Sequence, residues 1–296
     1  MPDWQSITEQ VSQAAGVYLD SRQPQSAGGG CINAAFVIPG EQQGEQRHFF
    51  LKLNHAQNLG MFEAEAAGLQ ALADSHSLRV PIPLCAGVAG RDAYLLMEYI
   101  PLSGRGDAIL LGEKLAAMHR SQAPRFGWQQ DNTIGSTPQY NNWRDDWADF
   151  WAEQRLRPQL ALAARNGVGR PLLTAGEALC DSLPAFFSDY KPIPSLLHGD
   201  LWSGNYAYDD AGQPVIFDPA VYFGDRETDL AMSELFGGFP TEFYAAYNAA
   251  WPLDSGYATR KTLYNLYHIL NHFNLFGGGY QSQARGMVDR LLSQCR

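Results

Sequence analysis

The stretch Leu197-His198-Gly199-Asp200-Leu201-Trp202-Ser203-Gly204-Asn205 decides how the rest of the chain is read. An Asp is followed five residues later by an Asn, and Asp218 lies thirteen residues beyond that Asn, within Ile216-Phe217-Asp218-Pro219. Apolar Ser195-Leu196-Leu197 leads into the first motif. Pro214-Val215-Ile216-Phe217 predicts a short buried strand that ends on the second Asp. Either Asp alone is an ordinary turn residue. A His, an Asp, an Asn and a strand-terminal Asp in this order are a much rarer set.

That set resembles the catalytic loop and the metal-binding Asp of protein kinases, H-x-D-x-x-x-x-N followed by a further Asp. Gly199 stands where those enzymes carry Arg, and Asp218-Pro219 stands in place of D-F-G. In this form the pattern is closer to the small-molecule branch of the kinase-like fold, the aminoglycoside, choline and fructosamine kinases. The resemblance implies phosphoryl transfer from ATP, which needs positioning and charge neutralisation more than covalent help. It gives Asp200 the place beside the attacking hydroxyl. Asp218 takes the Mg²⁺ that lies against the β- and γ-phosphates, and Asn205 adds a neutral oxygen ligand. Magnesium is hard and prefers oxygen, so an Asp-and-Asn set suits it and suits zinc poorly.

Composition narrows the classes. A chain of 296 residues with 45% hydrophobic content fills one large or two medium domains. Net charge is −10, there are only four lysines (Lys52, Lys114, Lys191, Lys261), and no basic run is present. These features argue against a nucleic-acid partner. Met1-Pro2-Asp3-Trp4-Gln5 has no basic start and no apolar region of a signal peptide, and no apolar run nears the ~18 residues of a membrane span. Cys31, Cys85, Cys180 and Cys295 are far apart, which suits neither a zinc site nor a disulfide framework. A cytoplasmic protein is expected.

Upstream, Trp4 to Leu19 has helical spacing, with Ser6 and Glu9 as a capping box. Ala34 to Ile38 and Arg47 to Leu53 predict a hairpin turning near Pro39-Gly40 and Gly44. Gly28, Gly29 and Gly30 precede it, and consecutive glycines let backbone N–H groups approach a phosphate. Cys31 follows directly. The field that favours a phosphate favours a thiolate, so Cys31 is a candidate oxidisable thiol, with simple packing as the alternative. Lys52 lies in the apolar strand Phe49-Phe50-Leu51-Lys52-Leu53, where alternation puts Phe49, Leu51 and Leu53 on one face and Lys52 on the other. A kinase-like lobe would use Lys52 on the nucleotide phosphates and pair it with a Glu of the next helix, Met61 to Leu72. Glu65 sits beside the apolar stripe and Glu63 turns toward solvent, so Glu65 is preferred. Leu84 to Val88 and Tyr94 to Met97 predict two more strands. The following hinge offers Glu98 and Ile100 to adenine through their main chain. Ser103-Gly104-Arg105-Gly106 predicts a linker, with a boundary near 101: a nucleotide-binding domain 1–101 and a catalytic and substrate-binding domain 102–296.

The second domain is expected to be mainly helical. Trp143, Trp147 and Trp151 fall on one face of a helix over 141–160, His119 is a packed or capping histidine, and 171–190 predicts another helix. Asp229 begins a helical pattern and is a candidate to cap it or brace the catalytic loop. HGDLWSGN at 198–205, Asp218-Pro219-Ala220, Tyr222 to Glu227, LFGGFP at 235–240 and Tyr267 to Asn274 together resemble the fructosamine (ketosamine) kinase family over nearly the whole chain. Lys52 and Glu65 fit the same family.

The resemblance implies an α+β, bilobal, protein-kinase-like fold, with a small antiparallel sheet and a helix in the first lobe and a larger helical second lobe. It also implies ATP- and Mg²⁺-dependent phosphorylation of ketosamines on the sugar C3 hydroxyl, free or on glycated proteins, followed by elimination that releases the amine. Trp202, Asn271 and His272 are candidates to hold the sugar. The other readings are an aminoglycoside, choline or homoserine kinase, or a nucleotide-binding pseudoenzyme.

Overall fold

In the computed structural model, which describes residues 2–28 and 32–295, the first unit is built on an antiparallel pair, Ala34–Gln42 with Glu45–His55. The phosphate-loop reading of Gly29 and Gly30 and the redox reading of Cys31 lie outside the described residues. The sheet runs Tyr18–Leu19, Ala34–Gln42, Glu45–His55, Asp92–Glu98, Pro83–Ala89, with Gln25–Ser26 also pairing on Ala34–Gln42. Phe49, Leu51 and Leu53 face one way, as strand alternation predicts. They join Ile7 and Val11 of the helix Trp4–Ala15 in a buried core. Lys52, on the opposite face, pairs in register with Leu95.

Three local readings change. The first helix ends at Gly16, a left-handed residue at φ +67, and it is capped by Asp3 accepting the Ser6 N–H (3.3 Å), not by a Ser6–Glu9 box. Pro39 and Gly40 lie inside the strand, and of the expected turn residues Gly44 alone makes the turn, with Gln43. Gly40 is needed for a different reason: a Cβ there would collide with the carbonyl of Tyr18 on the neighbouring strand.

The chain divides into two units, 1–106 with 207–218, and 107–206 with 219–296. The first unit runs past the boundary expected near 101 and also takes 207–218, which the sequence reading assigned to the second domain. The cause is a small sheet in which Tyr206–Asp209 pairs with Leu102–Ser103 on one side and neighbours Pro214–Ile216 on the other. That sheet carries Asp218 into the first unit.

The second unit is helical, as expected. Its main helices are Ala108–His119, Arg157–Arg165, Arg170–Ser182, Glu227–Leu235, Thr241–Ala250, Tyr257–Phe276 and Tyr280–Gln294. The tryptophan helix is shorter than its spacing suggests. Trp143 precedes it and stacks on Phe223, while Trp147 and Trp151 are buried on Trp147–Trp151. A π turn, Ala152–Leu156, then swings Arg155 inside, where its guanidinium lies 4.1 Å from the Tyr222 ring and 4.7 Å from the Phe150 ring. Among the described residues, no helix is long and apolar enough to cross a membrane.

His268, on Tyr257–Phe276, is buried. Burial, aided by His272, pushes its pKa down to about 3. The folded value lies below the unfolded one, near 6.5, so this residue's contribution is complete above pH ~6.5 and is lost as pH falls toward about 3. Between pH 7 and 5 the loss is about 2 kcal/mol. Urea unfolding at the two pH values is expected to show a change between pH 7 and 5 that is less favourable in the wild type than in His268→Leu by about 2 kcal/mol, since the raised carboxyl of Glu227 titrates alike in both; equal changes in both would contradict the assignment.

Candidate active site

In the first unit, Lys52 is the centre of the charged groups. Its ammonium lies 2.5 Å from Oε1 of Glu65 and 2.5 Å from Oδ1 of Asp218. Glu65 is on Leu59–Asp74, one residue after buried Ala64 and one turn from buried Leu69, so its side chain turns in toward the sheet. Glu63 is exposed. Burial works against the ammonium, but the carboxylates of Glu65 and Asp218 outweigh it and hold Lys52 above the usual lysine range. Lys52 is therefore a buried, paired cation and not a surface cation snorkelling to water.

Asp218 follows the buried strand Pro214–Ile216 and has φ +56, in the left-handed region that Asp tolerates better than most residues. Its side chain is 50% exposed, against 8% for Lys52. Glu98 ends the strand Asp92–Glu98. Its N–H donates to the carbonyl of Ile82 (2.8 Å), and buried Ile100 follows. Gly28 is exposed, with open space around its Cα.

In the second unit, the His198–Asn205 loop follows strand Ser195–Leu197, which pairs with Tyr222–Gly224. Asp229 holds the loop from beneath. Its Oδ2 accepts the His198 N–H (2.8 Å) and its Oδ1 accepts the Gly199 N–H (2.9 Å). His119 Nε2 lies 3.1 Å from the same carboxylate, and its Nδ1 lies 2.8 Å from the Tyr247 hydroxyl. Burial alone would raise the Asp229 pKa; the His119 contact and the loop N–H groups overcome it and hold Asp229 below the usual carboxylate range. The bracing role proposed for Asp229 thus has a geometry. His119, legible from sequence only as a packed histidine, is its partner.

Gly199 is at φ +83, and a Cβ there would run into the carbonyl oxygen of Ala220. The glycine in place of Arg is therefore required by the path of this loop. The Asp200 N–H donates to Nδ1 of His198 (3.2 Å). Asn205 donates its amide N–H to the Asp200 carbonyl (2.9 Å) and to Asp200 Oδ2 (3.1 Å). The nitrogen of the amide is thereby directed at Asp200.

Trp202 is 37% exposed, edge-on to Phe236 at 6.5 Å between ring centres. His272 packs on Phe236 at 4.7 Å. Asn271 is buried. It accepts from Gln159 (3.2 Å) and donates to the carbonyl of Ile134 (3.3 Å), so its amide serves helix packing. The sequence reading missed the anchor of the Asp229 helix. Buried Asp225 accepts from the Tyr190 hydroxyl (2.9 Å) and the Tyr264 hydroxyl (2.5 Å), while Glu227 forms a two-pronged pair with Arg260 (2.7 and 3.0 Å). The run Asp225-Arg226-Glu227 marked this stretch, but its partners are far off in sequence.

Known proteins resemble this chain over nearly its whole length. A probable ketoamine kinase of Synechocystis is 49% identical over 98% of this chain and 97% of its own. The chloroplastic protein-ribulosamine 3-kinase of Arabidopsis thaliana is 45% identical over 90% of this chain and 82% of its own. The crystal structure of a putative fructosamine-3-kinase from Haemophilus somnus matches with a TM-score of 0.86 at 30% identity, covering 98% of this chain and 97% of that one. An ADP-bound aminoglycoside phosphotransferase, at 13% identity and a TM-score of 0.60 over 99% and 97% of the two chains, shares the kinase-like fold alone. The fructosamine kinase family model matches residues 3–294, and the chain belongs to that family of phosphotransferases.

Proposed function

We propose that the protein transfers the γ-phosphoryl group of ATP to the C3 hydroxyl of a ketosamine sugar, a fructosamine or ribulosamine carried on an amine or a protein. The 3-phosphate then eliminates and frees the amine, which makes the reaction a deglycation step. The observation that carries the reading is the Lys52 ammonium shared between Glu65 and Asp218, in a chain that also keeps the braced His198–Asn205 loop.

The donor types suit a magnesium ion. Asp218 brings a carboxylate and Asn205 an amide oxygen, both hard, and the Asn205 nitrogen is already turned to Asp200. Mg²⁺ bound through them would neutralise charge on the β- and γ-phosphates. Lys52 has three N–H bonds, two directed at carboxylates, and the third is the natural donor to a phosphate oxygen. Glu65 keeps that ammonium in place. Asp200 accepts the proton of the sugar hydroxyl as it attacks. Asp229 and His119 fix the main chain from which Asp200 projects. Trp202 offers a partly exposed ring to a polyhydroxyl substrate, with His272 packed behind it among Phe236, Phe276 and Tyr280; Asn271 is left out because its amide is engaged in packing.

The deciding experiment is a Mg²⁺-dependent turnover assay with fructosyl-lysine and ribulosyl-lysine beside choline, homoserine and an aminoglycoside, with ³¹P NMR to locate the phosphate. Turnover confined to ketosamines and a 3-phosphate product is expected. Preference for another acceptor would replace the substrate assignment. No turnover with any acceptor, with ATP still bound, would leave a nucleotide-binding scaffold.

The ion pair makes a finer prediction. Glu65→Gln is expected to raise KM for ATP and lower kcat, each by roughly three- to tenfold, because the ammonium loses a charged partner. Glu63→Gln is expected to stay within about twofold of wild type, as exposed helix carboxylates do. Sensitivity at Glu63 and not at Glu65, in steady-state kinetics with saturating acceptor, would overturn the pairing as a functional one.

A further inference from the structure

Arg79 belongs to none of the motifs above. It opens the stretch Arg79-Val80-Pro81-Ile82-Pro83, between the helix Leu59–Asp74 and the strand Pro83–Ala89. Its main chain and its side chain go to different parts of the first unit. The Arg79 carbonyl accepts the Ile216 N–H (3.0 Å), within a parallel bridge between Arg79 and Val215. The residue is thereby tied to the strand that ends two residues before Asp218. Its guanidinium donates to Oδ2 of Asp209 (2.5 Å) and Oε1 of Glu98 (2.9 Å).

Both carboxylates sit at turning points of the chain. Asp209 also accepts the N–H groups of Ala211 and Gln213, both at 2.9 Å, and so closes the turn that leads into the Asp218 strand. Glu98 is the last residue of its strand, where the hinge begins. The same stretch grips it twice more: its N–H donates to the Ile82 carbonyl (2.8 Å), and its carboxylate accepts the Ile82 N–H (3.4 Å). Pro81 and Pro83 each fix a backbone φ, so the connector between these grips has little slack.

We infer that Arg79 is a positioning residue for the nucleotide, setting the hinge main chain from Glu98 to Ile100 at a fixed distance from Asp218. The inference rests on the proposed roles of that hinge toward adenine and of Asp218 toward the metal. Fold stability is a poor account of the arrangement. The Arg79 and Glu98 side chains are 41% and 36% exposed, and an ion pair at such a position adds little; Asp209, 8% exposed, keeps the Ala211 and Gln213 N–H groups as partners when Arg79 is removed. Geometry is a better one. A nucleotide is met at both ends, by the hinge at its base and by Asp218 at its phosphates. An error of about 1 Å in such a span costs up to roughly 10²-fold in rate.

The test separates the base from the phosphates. ATP and inorganic tripolyphosphate are titrated calorimetrically into the full-length wild type, Arg79→Ala and Arg79→Lys. Arg79→Ala is expected to weaken ATP binding about tenfold and leave tripolyphosphate within about twofold, since tripolyphosphate has no base to be misplaced. Arg79→Lys, which can keep one of the two pairs, is expected to fall between. KM for the sugar acceptor and the thermal midpoint are expected to stay near wild type. Glu98→Gln removes the charge at the hinge but not its main chain, and is expected to share the ATP-selective loss; it carries the test should Arg79→Ala fail to fold. Equal weakening of both ligands, or no change in either, overturns the positioning role. A wild type that binds tripolyphosphate but not ATP overturns the hinge reading and the inference with it. Tight ATP binding by the wild type and by both variants overturns the inference alone.

Discussion

Asp200→Asn is expected to fold, to bind ATP with wild-type affinity, and to lose about 10²- to 10⁴-fold in kcat, the usual contribution of a positioned general base. The substitution isolates the base because so little else changes. The Asp200 N–H still donates to His198 Nδ1, and its carbonyl still receives the Asn205 and Trp202 N–H groups. An asparagine oxygen can also replace Oδ2 as the acceptor for the Asn205 amide. Asp229 grips the loop at His198 and Gly199, upstream of the change. What is lost is the carboxylate proposed to take the hydroxyl proton. The check is kcat at saturating ATP and ketosamine, together with the dissociation constant for ATP and the far-UV spectrum. A folded Asp200→Asn protein with near-wild-type kcat would remove Asp200 from the chemistry.

The parts of the molecule legible in the sequence are those governed by local periodicity. Alternation placed Lys52 opposite Phe49, Leu51 and Leu53, and the helical wheel placed Glu65, not Glu63, beside the apolar stripe; the ion pair follows from those two faces. Asp229 could be suspected as a brace because it begins a helical pattern soon after the motif. Its contact to His119 could not, since 110 residues separate them. The same holds for 207–218, whose place in the first unit depends on pairing with Leu102–Ser103. Gly40 and Gly199 look alike on paper as turn glycines. One avoids a neighbouring strand and the other a carbonyl, Ala220, distant in the chain. Trp143 misled because a spacing of four is helical only if the helix has begun. It starts at Trp147, capped by Asp146 accepting the Asp149 N–H (2.8 Å).

Asp218 is expected to be the least replaceable residue. Asp218→Asn is the informative substitution, because Asn also tolerates the left-handed backbone at φ +56 and keeps an oxygen at the same place, whereas Ala adds strain of about 1–2 kcal/mol. Two things go with the charge. The metal loses its only anionic protein ligand among the proposed donors, so the phosphate charge is left uncompensated. Lys52 loses one of two carboxylates and is held by Glu65 alone. Turnover is therefore expected to fall by about 10³-fold or more, in the range seen when a preorganised charge on the transition state is removed. Asn205→Ala is expected to be milder, since it removes a neutral ligand, and to appear chiefly as a higher Mg²⁺ concentration for half-maximal rate. Titrating Mg²⁺ at fixed ATP distinguishes the two: added metal is expected to restore most of the Asn205→Ala rate and little of the Asp218→Asn rate. Normal turnover by Asp218→Asn at ordinary Mg²⁺ would mean that the metal is held elsewhere, and that the Lys52–Asp218 contact is only a structural ion pair.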